Sequence, residues 1–79
     1  MSPDKLAYMA NQIGKFYISQ GHDKAVTSVA EHLAKFWDPR MRDTIFSYWE
    51  AGGAKLDPCV HEAVGRLRAA REQAAPKSA

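Results

Sequence analysis

Four stretches of this chain carry apolar residues at helical spacing, and turn-forming residues separate them. In the first, Leu6, Met9, Ala10, Ile13, Phe16 and Tyr17 recur at i, i+3, i+4 and i+7. Ser2 and Pro3 supply its cap and first helical residue, and Gly21 its left-handed terminator. Tyr8 and Ile18 fall off the stripe. Gly14 lies within it at a cost of ~1 kcal/mol relative to alanine, for which close approach of another helix and simple tolerance are equal explanations. The second helix begins at Asp23, with His22 beside it, and its core line reads Val26, Val29, Ala30, Leu33, Phe36 and Trp37. Glu31 and Lys35 stand at i, i+4 with the favourable polarity, worth a few tenths of a kcal/mol.

Between the second and third helices runs Phe36-Trp37-Asp38-Pro39-Arg40-Met41-Arg42. The Asp38 carboxylate can accept from free N–H groups of the next turn, and Pro39 has no N–H to leave unsatisfied. Pro39 also pushes Asp38 out of helical dihedrals, so the second helix should end at Trp37. Arg40 and Arg42 then fall in the first turn of the new helix, where a cation costs ~0.3–1 kcal/mol. They read equally as solvated arginines beside Asp38 and Asp43, or as cations awaiting an acidic partner surface. The third helix runs to about Ala51 and stops at Gly52-Gly53. Its expected core positions are Met41, Ile45 and Tyr48, with Thr44 on the same side. Phe46 and Trp49 lie to one side of that line and widen the apolar arc to ~200°, against the ~100° a surface helix needs. Either another chain covers them, or the first and fourth helices wrap around the third.

Asp57-Pro58 repeats the start signal, and Val60, Ala63, Val64 and Leu67 make the stripe of a fourth helix. Beyond about Ala70 there is no apolar anchor. The fold expected is all-α, a compact bundle of four short helices, with one domain over residues 1–70 and a flexible tail over 71–79.

A chain of 79 residues forms one domain at most, and one this small buries only ~60% of its unfolded surface. Cys59 is the sole cysteine, so no disulfide reinforces the chain, which suits a reducing compartment. Neither a signal-peptide run nor the ~20 apolar residues of a membrane span is visible, and a soluble, cytoplasmic protein is expected. The net charge of +2 is unevenly spread. Residues 1–65 hold seven Lys/Arg against eight Asp/Glu, while residues 66–79 hold four against one. The globular part therefore lacks the basic face that nucleic-acid binding requires.

Candidate chemistry is sparse. His22, His32, His61 and Cys59 are the available metal donors, but Cys59 and His61 at i, i+2 point to different sides of a helix. Asp23, Asp38 and Asp57 each precede a helix, where capping accounts for them. Cys59 near a helix start has no histidine placed to activate it, and a small semi-buried cysteine is expected. No catalytic, cofactor-binding or metal-binding residue is assigned to this chain.

Three blocks between Leu6 and Leu67 carry a family resemblance: Met9-Ala10-Asn11-Gln12-Ile13, then Lys35-Phe36-Trp37-Asp38-Pro39-Arg40-Met41-Arg42, then Ala51-Gly52-Gly53 with Leu56-Asp57-Pro58. In these the chain resembles the delta subunit of cytoplasmic, bacterial NAD-dependent formate dehydrogenase. The resemblance implies a non-catalytic small subunit that aids assembly, cofactor loading or stability of a large oxidoreductase subunit. It also implies that the partner subunits carry molybdopterin guanine dinucleotide, iron–sulfur clusters and FMN. Within that reading Arg40 and Arg42 are expected charge anchors and Phe46 and Trp49 apolar anchors of the interface, while Phe36, Trp37, Asp38, Pro39, Asp57 and Pro58 are structural. No nucleic acid or membrane partner is expected, and self-association is the way the isolated chain would hide its apolar anchors. The alternative is a free-standing small helical nucleic-acid-binding or adaptor protein. A helix-turn-helix reader needs donors along the exposed face of its second helix, and Phe46 and Trp49 argue against that.

Overall fold

Pro3, Pro39 and Pro58 open helices in the computed structural model, which describes residues 2–74. The helices are α1 (Pro3–Tyr17), α2 (His22–Phe36), α3 (Pro39–Glu50) and α4 (Pro58–Ala74). Ser2 accepts from the Lys5 N–H at 3.2 Å, and the Asp38 carboxylate accepts from the Met41 N–H at 2.9 Å. Both are side-chain caps on orphan donors of a first turn. Asp23 does not cap: it lies inside the first turn of α2, and Gly21 holds the cap position with φ 101°. At α4 the Asp57 carbonyl accepts from the His61 N–H at 2.8 Å, while the Asp57 N–H is engaged by α1.

The helix ends follow from local chemistry. α1 stops at Tyr17 and tightens into a 3-10 turn over Ile18–Gln20 before Gly21. α2 ends at Phe36, one residue earlier than expected, because Trp37 is already extended (φ −88°, ψ 135°). After α3, the Gly53 N–H donates to the Tyr48 carbonyl and the Gly52 N–H to the Trp49 carbonyl, each at 3.0 Å. This is a Schellman motif, and Gly52 at φ 120° occupies the position that disfavours a Cβ. α4 takes in residues 71–74 of the expected tail, and residues 75–79 lie outside the described residues.

The core joins Leu6, Ala7 and Ala10 of α1, Ala25, Val26, Val29 and Leu33 of α2, Ile45 and Phe46 of α3, and Cys59, Val60, Ala63 and Val64 of α4. Trp37 and Leu56 fold in from the connections. Gly14 is there for close approach, since a Cβ at that position would sit 2.6 Å from Cγ2 of Val60 and 3.2 Å from Sγ of Cys59. Asn11 ties the α3–α4 connection to α1. Its Nδ2 donates to the Lys55 carbonyl and its Oδ1 accepts from the Asp57 N–H, both at 2.9 Å.

Three expected core residues are not in the core: Met9, Phe16 and Phe36 are exposed. At ~100° per residue, Met9 and Phe16 lie about 100° and 120° from Ala10, past the edge of the face that the other three helices cover. Ala7, about 60° from Ala10 on the other side, is buried instead. Phe36 is on the line of Leu33 and Val29, but it is the last residue of α2, and the chain turns so that Trp37 takes the buried place.

Candidate functional site

The face of α3 that was expected to await a partner is covered by α4. Phe46 is only 4% exposed, and its placement outside the core is corrected accordingly. The guanidinium of Arg71 lies 5.1 Å over the Phe46 ring and is held there by the Asp43 carboxylate. Trp49 is half-buried: its ring rests on Gly65, where a Cβ would stand 2.9 Å from Cζ2, and its N–H donates to the His61 carbonyl at 3.0 Å. Arg68 spans its outer side, 5.5 Å from the ring centroid, with Nε 2.6 Å from Glu50 and Nη2 3.2 Å from Glu72. The buried direction of α3 thus runs between Ile45 and Phe46, turned by about 80° from the Met41–Ile45–Tyr48 line. Met41 and Tyr48 are left half-buried at its edge.

Arg42 lies on that same buried side and donates from Nη1 to the Ala34 carbonyl at 2.7 Å. The final carbonyls of a helix have no intrahelical partner, and a cation there is favourable. The placement that looked costly for the start of α3 is therefore a cap on the end of α2. Arg40, by contrast, is exposed, and forms no ion pair among the described residues. Of the four expected anchors, then, three are held within the chain and one stands free.

The open aromatic surface is elsewhere. Phe16 is 74% exposed and Phe36 71%, on α1 and α2 respectively. The Phe16 ring meets Tyr17 edge-on with centroids 5.0 Å apart, and the Phe36 ring lies 4.8 Å from His32. Tyr17, Ser28, Glu31, His32, Lys35 and Phe36 line one shallow groove. Ser28, Glu31, His32 and Lys35 are spaced i, i+3, i+4 and i+7, so the groove follows α2 for two turns. The Glu31–Lys35 pair expected from sequence is not formed: neither residue has an ion-pair partner among the described residues. Sequence reasoning placed Phe16 and Phe36 in the core. The usable signals were the ~120° offset of Phe16 from Ala10 and the position of Phe36 just before a break that leaves one aromatic in and one out.

Cys59 forms part of a hollow of about 370 Å³ lined by Gly14, Ile18 and Pro58, with Lys15, His22 and Asp57 also at its wall. Burial, and secondarily the Asp57 carboxylate, push the Cys59 thiol above its ordinary 9.0. That direction is opposite to the lowered thiol pKa of an activated nucleophile. Nearby, His22 Nε2 and Arg66 Nη2 each lie 2.8 Å from the Glu62 carboxylate. The hydrogen bond from His22, then the charge of Arg66, hold Glu62 below the ordinary carboxylate value. Among the described residues no group of three or more His, Cys, Asp or Glu is placed to hold a metal, and no helix is long and apolar enough to cross a membrane.

Residues 5–64 match the family model of the NADH-dependent formate dehydrogenase delta subunit FdsD. Searches of the curated proteins and of the solved structures return no match. The match takes in α1 from Lys5 onward, α2, α3 and the first turns of α4, together with Asn11, the Asp38–Pro39 turn and the double glycine. The chain belongs to this delta-subunit family.

Proposed function

We propose that this member of the delta-subunit family is a non-catalytic accessory subunit of a cytoplasmic NAD-dependent formate dehydrogenase. In this reading it binds the large, molybdopterin-binding subunit and supports its assembly, cofactor loading or stability. The observation that carries the reading is the family match over residues 5–64, which spans every helix of the fold at least in part. The internal chemistry is compatible with it. Asp38 is spent on a cap, Asp43 and Glu50 on arginines of α4, Glu62 on His22 and Arg66, and Cys59 is a buried thiol. Molybdopterin guanine dinucleotide, iron–sulfur clusters and FMN are assigned to the partner subunits, with none resident in this chain.

Removal of the chain from its native cell tests the proposal. Formate dehydrogenase prepared from that cell should show less assembled large subunit, or less molybdenum per large subunit, and re-expression should restore it. Full assembly, metal content and formate-dependent NAD reduction without the chain would refute an accessory role. The isolated chain should give no saturable heat with millimolar NAD and no formate turnover. Either signal would overturn the non-catalytic assignment.

A further inference from the structure

We propose that α4 is divided at Gly65: its first half belongs to the core, and residues 66–74 form a charge-latched strap. The strap swings off α3 while the rest of the bundle stays folded, and so opens the Phe46–Trp49 face. The inference goes beyond the accessory-subunit reading and stands without it. Burial changes abruptly along the helix. Cys59, Val60, Ala63 and Val64 are buried, and from Gly65 to Glu72 no residue is. The change falls on the only glycine of α4, and glycine is the poorest helix former after proline. Gly65 also seats the Trp49 ring, so the division is read from where burial stops and not from the glycine alone.

What holds the second half is mainly charge. Arg68 reaches Glu50 and Arg71 reaches Asp43, and each guanidinium also lies over a ring, that of Trp49 and of Phe46 respectively. Both carboxylates are more than half exposed, so these pairs are weak and open to screening by salt. The apolar hold is small. Leu67, half-buried, is the largest apolar side chain of the segment. Open clefts of about 290 Å³ flank Leu67 and Ala70 on both sides, one lined by Ala30 and Ala34 of α2, the other by Arg42 and Phe46 of α3. A segment with few buried apolar contacts sits at the low end of local stability and opens without the rest. With the strap off, the outer sides of the Phe46 and Trp49 rings face solvent.

Native-state hydrogen exchange of the full chain, read amide by amide, tests the strap. Amides of residues 69–72 should share one level of protection, a clear step below that of residues 62–65. Raising sodium chloride from about 0.01 M to about 1 M shortens the screening length from about 30 Å to about 3 Å. Protection of residues 69–72 should then fall at least about threefold, with residues 62–65 unchanged. Asp43→Asn with Glu50→Gln, both on α3, should lower the same protection about fivefold through the lost partners. Arg68→Glu with Arg71→Glu should hold the strap off, and a soluble gadolinium chelate should then relax the Phe46 ring protons more strongly than in wild type. Equal protection of the two groups would overturn the proposal. So would a gradual decline toward the helix end that neither salt nor the α3 variant moves, which is ordinary fraying. Protection lost from both halves together would show that α4 opens only as a whole, and a Phe46 ring still shielded in the reversed variant would show that the strap does not cover it. Either result sinks the proposal.

Discussion

Two aromatic faces of this small bundle are built from the same kinds of residue and end in opposite states. On α3, Phe46 and Trp49 are roofed by the arginines of α4, whose charges are met by Asp43, Glu50 and Glu72. On α1 and α2, Phe16 and Phe36 are exposed, Phe16 against the ring of Tyr17 and Phe36 against that of His32. An arginine in sequence is thus a poor marker of a helix's outer side, because its stem can cover a ring while its head finds a carboxylate. The +3 excess of residues 66–79 is the raw material of that cover: Arg68 and Arg71 hold α4 to α3.

The sharpest way to break the contrast is truncation of one phenylalanine from each face. Phe46→Ala should cost ~3–5 kcal/mol, most of the stability a domain of this size has, whereas Phe16→Ala should stay within about 0.5 kcal/mol. Denaturant melts of the two variants decide it, and equal losses would mean that the faces do not differ. Next comes Gly14→Ala. The methyl group would meet Val60, so about 1–3 kcal/mol should be lost even though alanine is the better helix former by ~1 kcal/mol. A stabilised variant would show that α1 and α4 can move apart cheaply. Asp38→Ala should cost ~0.5–2 kcal/mol through the lost cap, with Asp38→Asn milder. Both are read from the same melts, and equal costs would deny the capping role.

The smallest effect concerns acid. Glu62 has a folded-state value below its ordinary 4.5, so its contribution is present above that pH and is lost as pH falls through the lowered value. Glu62→Gln should flatten the acid limb of stability below about pH 4.5 relative to wild type, and an unchanged limb would show that the His22–Glu62–Arg66 cluster contributes nothing.

Much of this fold is legible in the residues. Ser2-Pro3, Asp38-Pro39 and the double glycine each carry a local mechanism, and the structure uses all three as the chain reads. Periodicity also finds Leu6, Val26, Leu33, Ile45, Val60 and Val64, because residues near the centre of a stripe are covered wherever the neighbours lie. What periodicity cannot resolve is the edge of a stripe. Met9 and Phe16 fall just past what the other helices cover, and Phe46 falls just inside; only the positions of neighbouring helices separate these cases. Long-range polar ties are likewise invisible locally. Asn11 reaches a connection more than forty residues away, and Arg42 caps a helix it does not belong to. The exposed phenylalanines therefore lie on α1 and α2 rather than on α3 for a geometric reason, not a compositional one.

The central claim is that the two aromatic faces differ in cover, that of α3 closed by α4 and that of α1 and α2 open to solvent. Paramagnetic relaxation of the aromatic ring protons by a soluble gadolinium chelate reads it ring by ring on the wild-type chain. The Phe16 and Phe36 rings should relax strongly and the Phe46 ring weakly. Equal relaxation of the three rings would contradict it.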